Sequence, residues 1–226
     1  MADIKELLEK AKNENRNLLE YEAKEVLRSI SIRLPEGHLA KTKNEALELA
    51  NKIGFPVVMK LMSPQVLHKT DAGAVAIGLK SEEEVVKVYD EFMEKFANVE
   101  IAGILVEKMV KKGVEIIIGT KIDSSFGPVI LVGLGGVFVE VLKDVVFRLC
   151  PTTKQKALNA LNEIKAKKML EGFRDLPPVD KEAVAELMEK LSVLAWEYRE
   201  YIKEMDINPI IANEDGVWTV DARIIL

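Results

Sequence analysis

Between Asp3 and Ile30 apolar residues recur at helical spacing. Ile4, Leu7, Leu8 and Ala11 share one face, as do Leu18, Leu19, Ala23, Val26 and Leu27, and polar Lys12–Asn17 reads as a break between two helices. Ile32 and the Leu34-Pro35-Glu36-Gly37 turn close this region. Thr42 with Glu45, and Ser81 with Glu84, have capping-box spacing. Each precedes an apolar stripe: Ala46, Leu47, Leu49, Ala50 and Ile53 in one helix, Val85, Val88, Phe92 and Phe96 in the other. Pro56–Leu61 and Ala74–Leu79 are short apolar, β-branched runs and read as buried strands. Further strands are expected at Ile101–Met109, Gly113–Thr120, Gly127–Leu134, Val137–Leu142 and Val145–Leu149. Most of their connections are too short for crossover helices, which predicts a largely antiparallel sheet. Helices are expected from Thr153 to Leu170 and from Asp180 to about Arg199, split at Pro177-Pro178. Strands Lys203–Ala212 and Gly216–Ile225 follow. The pattern predicts an α+β protein of two lobes, with the functional site in the cleft they form.

Composition narrows the function classes. The 226 residues carry a formal charge of −5, which disfavours a general nucleic-acid surface. No apolar run approaches the roughly eighteen residues of a membrane span, and the charged N-terminus lacks a signal-peptide core. Cys150 is the one cysteine, so no intrachain disulfide forms, and a cytoplasmic location is expected. Lys and Glu are abundant while Gln occurs only at 65 and 155, a bias that suits a thermophile.

Phe55–Leu79 (FPVVMKLMSPQVLHKTDAGAVAIGL) holds the candidate chemistry. Lys60 is a cation inside an apolar strand. It needs a partner, for which a phosphate is one candidate; the bland alternative is a lysine snorkelling from an edge strand. The following loop carries Ser63, Pro64, His68, Lys69, Thr70, Asp71 and Gly73. Its backbone N–H groups and Gly73 suit close approach of an anion. His68 fits a base, a nucleophile or a phosphate carrier, or else an ordinary surface histidine.

Carboxylates supply a second set. If Glu214-Asp215 is the turn of the last hairpin, Asn208 faces Asp221 and Asp206 faces Arg223; a turn at Asp215-Gly216 keeps the same faces. Opposed side chains lie about 5 Å apart at Cβ, so Asn208 and Asp221 can offer two oxygens to one hard cation such as Mg²⁺. The alternative is a solvated face with an Asp206–Arg223 pair. Glu107 and Glu115 sit amid apolar runs, where a sugar hydroxyl, an amine or a metal would satisfy them; exposed edge-strand positions are the alternative. Gly133, Gly135 and Gly136 form a glycine-rich turn, but no dinucleotide fingerprint or Walker A motif is present.

Several long ordered blocks resemble a known family: GFPVVMKLMSPQVLHKTDAGAV, ILVEKMVKKGVEIIIGTKIDSSFGPVILVGLGGVFVEVLKDVVFRLCP, LEGFRD and EMDINPIIANEDGVWTVDARI. The chain is similar to the β subunits of ADP-forming acetyl-CoA synthetases (acetate–CoA ligases) of archaeal type. These are ATP-grasp members of the superfamily that includes succinyl-CoA synthetase. Asp175 departs from the family's more frequent glycine. The resemblance implies an ATP-grasp fold clasping a nucleotide, with an N-terminal helical segment at 1–30, one lobe at 31–106 and the other at 107–226. It implies that Lys60 contacts nucleotide phosphates and that Gly73 lies in the loop over them. The backbone from Glu107 through Lys108 to Met109 would read the adenine edge, with Glu115 near the ribose. Asn208 and Asp221 would hold Mg²⁺, and His68 would carry a phosphoryl group. Asp206 and Arg223 lie near this site without assigned tasks, and His38, placed in an exposed turn, has none. The implied reaction is acetyl-CoA + ADP + phosphate giving acetate + CoA + ATP, reversibly. It needs a partner α subunit that binds CoA and carries its own phosphohistidine, in an α2β2 assembly. Two other readings are a nucleotide-binding regulatory module without turnover and a stand-alone ATP-grasp ligase. The joint presence of Lys60, His68, Asn208 and Asp221 argues against the first, and the absence of a substrate domain against the second.

Overall fold

The computed structural model describes residues 3–66, 68–136, 139, 142–174 and 176–226. In chain order the elements begin with α1 (Ile4–Asn13), α2 (Glu20–Ser29), β1 (Gly37–Ala40), α3 (Lys43–Ile53), β2 (Val57–Met62), β3 (Val75–Leu79), α4 (Glu82–Lys95) and β4 (Gly103–Lys108). There follow β5 (Val114–Asp123), β6 (Gly127–Leu134), β7 (Val145–Leu149), α5 (Lys154–Glu163), a 3-10 turn (Lys167–Glu171), α6 (Lys181–Glu197), β8 (Glu204–Asn213), β9 (Gly216–Thr219) and β10 (Arg223–Ile225). The chain divides into two compact units. One takes Leu19–Tyr21 and Pro35–Val110; the other takes Met1–Leu18, Glu22–Leu34 and Lys111–Leu226.

The smaller unit is built on a four-stranded sheet of order β1-β4-β2-β3, with every pairing antiparallel. Val57, Met59 and Leu61 of β2 join Ile104 and Val106 of β4 in a core with Ala46 and Ala50 of α3 and Val85 and Phe92 of α4. Strand alternation sends Lys60 and Glu107 to the face opposite those helices. Both helices start as their sequences predict: Thr42 and Ser81 accept hydrogen bonds from the N–H groups of Glu45 and Glu84. The glutamates return the contact one residue earlier than in a standard box, to the N–H of Lys41 and of Lys80.

The larger unit has a six-stranded antiparallel sheet of order β10-β8-β5-β6-β7, with β9 also on β8. One face is dry. Val114, Ile116 and Ile118 of β5, Met205, Ile207, Ile210 and Ala212 of β8, and Ala222 and Ile224 pack with Val184, Met188 and Leu191 of α6 in its core. By alternation Glu115, Asp206, Asp221 and Arg223 take the other face.

Three expectations change, and one alternative reading falls. Gly37–Ala40 is a strand pairing with β4, so His38 lies exposed on a strand and not in a turn. The helix expected to run to Leu170 stops at Glu163, because the buried Asp144 carboxylate accepts the N–H groups of Lys165 and Ala166 and turns the chain there. The returning strand Gly216–Ile225 is interrupted between Thr219 and Arg223. Lys60 does not sit on an edge strand, since β2 lies between β4 and β3. The strand expected at Val137–Leu142 lies largely outside the described residues, as does Asp175.

Candidate functional site

Lys60 is 3% exposed, and its charge is met by two carboxylates. Nζ lies 2.5 Å from Glu20 Oε1 and 3.1 Å from Glu107 Oε2. The strand register explains the second contact: Lys60 pairs with Leu105 and Val58 with Glu107, so Lys60 and Glu107 are diagonal neighbours on one face. Glu107 is 2% exposed. Of the groups able to satisfy it, the amine is the one found. The second oxygen of Glu20 meets Lys69 Nζ. Carboxylate partners of this kind are what offset the cost of burying an ammonium group.

The backbone after Glu107 is engaged within the unit. The Lys108 N–H donates to Glu36 O at 2.8 Å and the Met109 N–H to Pro56 O at 3.2 Å. An adenine reading those two donors would have to displace chain carbonyls. The Lys108 ammonium donates to Gly54 O at 2.6 Å and Phe55 O at 3.2 Å, over the end of α3.

His68 is exposed at the start of a tight turn. Ala72 N–H donates to His68 O, Gly73 N–H to Thr70 O, and Ala74 N–H to Lys69 O. That pattern is a helical turn closed by a left-handed residue, and Gly73 supplies it with φ of +64°. Backbone conformation therefore accounts for glycine at 73 independently of any ligand. The turn leaves His68 exposed to solvent.

In the larger unit Asn213 pairs with Gly216 and Ile210 with Thr219, which fixes the hairpin loop as Glu214-Asp215. Beyond the interruption the same register returns, with Arg223 opposite Asp206. Val220 N–H donates to Pro209 O across the gap. Asn208 and Asp221 therefore occupy facing positions where the ladder breaks, both on the helix-free side. Asp221 Oδ1 accepts the Ala222 N–H at 2.7 Å. In place of the alternative Asp206–Arg223 pair, the Arg223 guanidinium bonds Glu204 at 3.2 Å. Burial, opposed by Arg223 and reinforced by Glu204 and Asp221, holds the Asp206 carboxyl above its ordinary range.

Glu115 is exposed on the same face as Asp206. It pairs with Ile211, and Asp206 pairs with Gly119, four residues further along β5. At about 3.4 Å per residue that sets Glu115 roughly 13 Å along the sheet from Asp206. Gly135 N–H donates to Glu115 O at 2.8 Å, and a Cβ at Gly135 would sit 3.0 Å from that of Glu115. The glycine-rich turn thus lets the chain pass directly against Glu115.

Asn208 and Asp221 can each offer an oxygen donor, which fits a hard divalent cation. Among the described residues no group of three or more His, Cys, Asp or Glu forms a metal set, so such an ion would draw its remaining ligands from water or a bound phosphate.

Residues 9–226 match the family described as ATP-grasp domain. The chain belongs to the ATP-grasp family. It is 46% identical to the acetate–CoA ligase (ADP-forming) I subunit beta of Pyrococcus furiosus, over all of this chain and 99% of that one. A solved dinucleotide-forming acetyl-coenzyme A synthetase 1 of Candidatus Korarchaeum cryptofilum, in complex with coenzyme A, Ca-AMPCP and HgCl⁺, matches with a TM-score of 0.94. The identity is 46%, over 99% of this chain and 100% of that chain. A selenomethionine derivative of the same protein, in complex with coenzyme A and Mg-AMPPCP, has its phosphohistidine segment pointing towards the nucleotide binding site. It matches with a TM-score of 0.87 and 44% identity, over 99% and 100% of the two chains. The α+β architecture described above is thus the ATP-grasp fold.

The ATP-grasp assignment leaves one ionic element that the sequence reading missed. Glu20 joins Lys60 to Lys69 but is forty residues from Lys60 in sequence. Glu20 sits on a helix whose apolar stripe reads as ordinary packing.

Proposed function

We propose that this chain is the nucleotide-binding subunit of an ADP-forming acetyl-CoA synthetase, working in the cytoplasm with a partner subunit that binds CoA. The observation that carries this reading is the end-to-end match to the Pyrococcus furiosus subunit. In this reading ADP is held by Lys60 at its phosphates and by Glu115 at its ribose, with the Glu107–Met109 segment at the adenine. Asn208 and Asp221 hold Mg²⁺, which when bound offsets phosphate charge.

His68 takes a phosphoryl group from a phosphohistidine of the partner and passes it to ADP. In the second step the N–P bond to His68 breaks as an O–P bond forms to the terminal ADP oxygen, and the released imidazole takes up one proton. Neutral imidazole is nucleophilic near neutral pH, which suits it to both transfers. Phosphoryl transfer asks the protein chiefly for alignment and charge compensation, and in this reading Lys60 supplies the latter. An α2β2 assembly accommodates this division of labour.

The test uses the chain reconstituted with its partner. His68→Ala should abolish ATP formation from acetyl-CoA, ADP and phosphate, and near-normal turnover would remove His68 from the reaction.

A further inference from the structure

Glu20 is the first residue of α2 and belongs to the smaller unit. Its side chain is 1% exposed, with one carboxylate oxygen on Lys60 and the other on Lys69, itself 15% exposed at the side chain. Lys69 directly follows His68, and its carbonyl accepts the Ala74 N–H that closes the turn. One carboxylate therefore links the strand lysine to the turn that presents His68. The chemistry fits a carboxylate specifically: its two oxygens accept from two ammonium groups at once, whereas an amide has one acceptor oxygen.

We propose that Glu20 is a positioning residue for phosphoryl transfer, holding the His68 turn in register with Lys60 through Lys69. This rests on the roles of Lys60 and His68 given above and adds the group that fixes one against the other. Transfer requires donor and acceptor atoms about 3–3.5 Å apart, and a displacement of about 1 Å costs on the order of a hundredfold in rate. A turn tied down at the residue next to its histidine is held against such displacement. A tether that ends on the phosphate-binding lysine sets the histidine relative to that phosphate.

The experiment compares wild type, Glu20→Gln, Lys69→Met and the double variant, each reconstituted with the partner subunit. Cutting the tether should lower kcat for ATP formation about tenfold or more. The KM for ADP should not rise, because Gln removes a negative charge beside the lysine that meets the phosphates. Lys69→Met should lose kcat similarly, and the double variant should be no slower than the slower single, since both cut one connection. A merely structural role for Glu20 would raise KM with the fall in kcat, or make the two losses multiply, and either result overturns the proposal. So does a kcat within about twofold of wild type in either single variant. Thermal melts identify any variant that fails to fold. If Glu20→Gln does so, Lys69→Met decides alone, by kcat, because loss of its positive charge near the phosphates raises the KM for ADP by itself. Acid-labile phosphate on wild-type His68 is measured in parallel. Its absence, with normal turnover of His68→Ala, would instead refute the parent reading.

Discussion

Lys60 Nζ lies 3.1 Å from Glu107 Oε2, although the two residues belong to different strands and are not directly paired. The diagonal arises because β2 and β4 are antiparallel and both side chains take the face opposite α3 and α4. Each is almost wholly buried, so each depends on the other more than an exposed pair would.

Removing one member should therefore cost stability asymmetrically. Lys60→Met leaves Glu107 and one oxygen of Glu20 without their shared ammonium, and should destabilise by about 3–5 kcal/mol. Glu107→Gln leaves Lys60 with Glu20 and should cost less, about 1–3 kcal/mol. Urea unfolding followed by circular dichroism orders the two. Equal midpoints would mean that Glu107 carries the whole compensation.

Asn208 and Asp221 yield a second expectation. Their facing positions follow from a register observed on both sides of the break, at Ile210–Thr219 and at Asp206–Arg223. Asp221→Ala should weaken Mg²⁺-dependent ADP binding by about tenfold or more, the lower end of losses seen when a metal site is disturbed. Binding measured with EDTA present should change little. Unchanged calorimetric affinity with Mg²⁺ would count against this ion position.

Much of this was legible in the residues, for identifiable reasons. The hairpin face could be read because strand alternation and a two-residue loop fix register locally. The helix starts could be read because Thr42 and Ser81 act on their own first turns. What escaped depends on distant partners. Nothing near Lys60 in sequence points to Glu20, and Arg223 prefers Glu204 to the residue directly opposite it. β1 was missed because four residues, with Gly37 and exposed His38 among them, carry no clear alternation. Gly73 was read toward a ligand, whereas its positive φ completes a turn.

Cys150 is 6% exposed, and burial pushes its thiol up to about 12. At pH 8 the folded protein should resist an aromatic disulfide reagent, while urea-unfolded protein should react at once with one equivalent. The sign of the pH effect follows from the raised value. The unfolded thiol ionises near the ordinary 8.5, so the contribution to stability is complete below that pH. It is lost as pH rises towards about 12. Cys150→Ala should thus decline less steeply than wild type between about pH 9 and 11 in thermal melts. Parallel curves would show that the thiol is not titrating from a buried state.

Asp144 offers the sharpest test of a structural residue. It is 5% exposed, and its two oxygens accept the N–H groups of Lys165 and Ala166 at 2.9 and 2.8 Å. These bonds hold the chain where α5 ends and the 3-10 turn begins, so the carboxylate substitutes for helical partners at that point. Hydrogen bonds to a charged group contribute about 1.5–3 kcal/mol each. Asp144→Ala, which removes both, should therefore destabilise by about 3–6 kcal/mol. Asp144→Asn keeps one acceptor oxygen and should fall between Asp144→Ala and wild type. ADP affinity should remain near wild type in both, because Asp144 lies outside the proposed ligand set. A loss of ADP affinity without a loss of stability would place Asp144 in the nucleotide site instead.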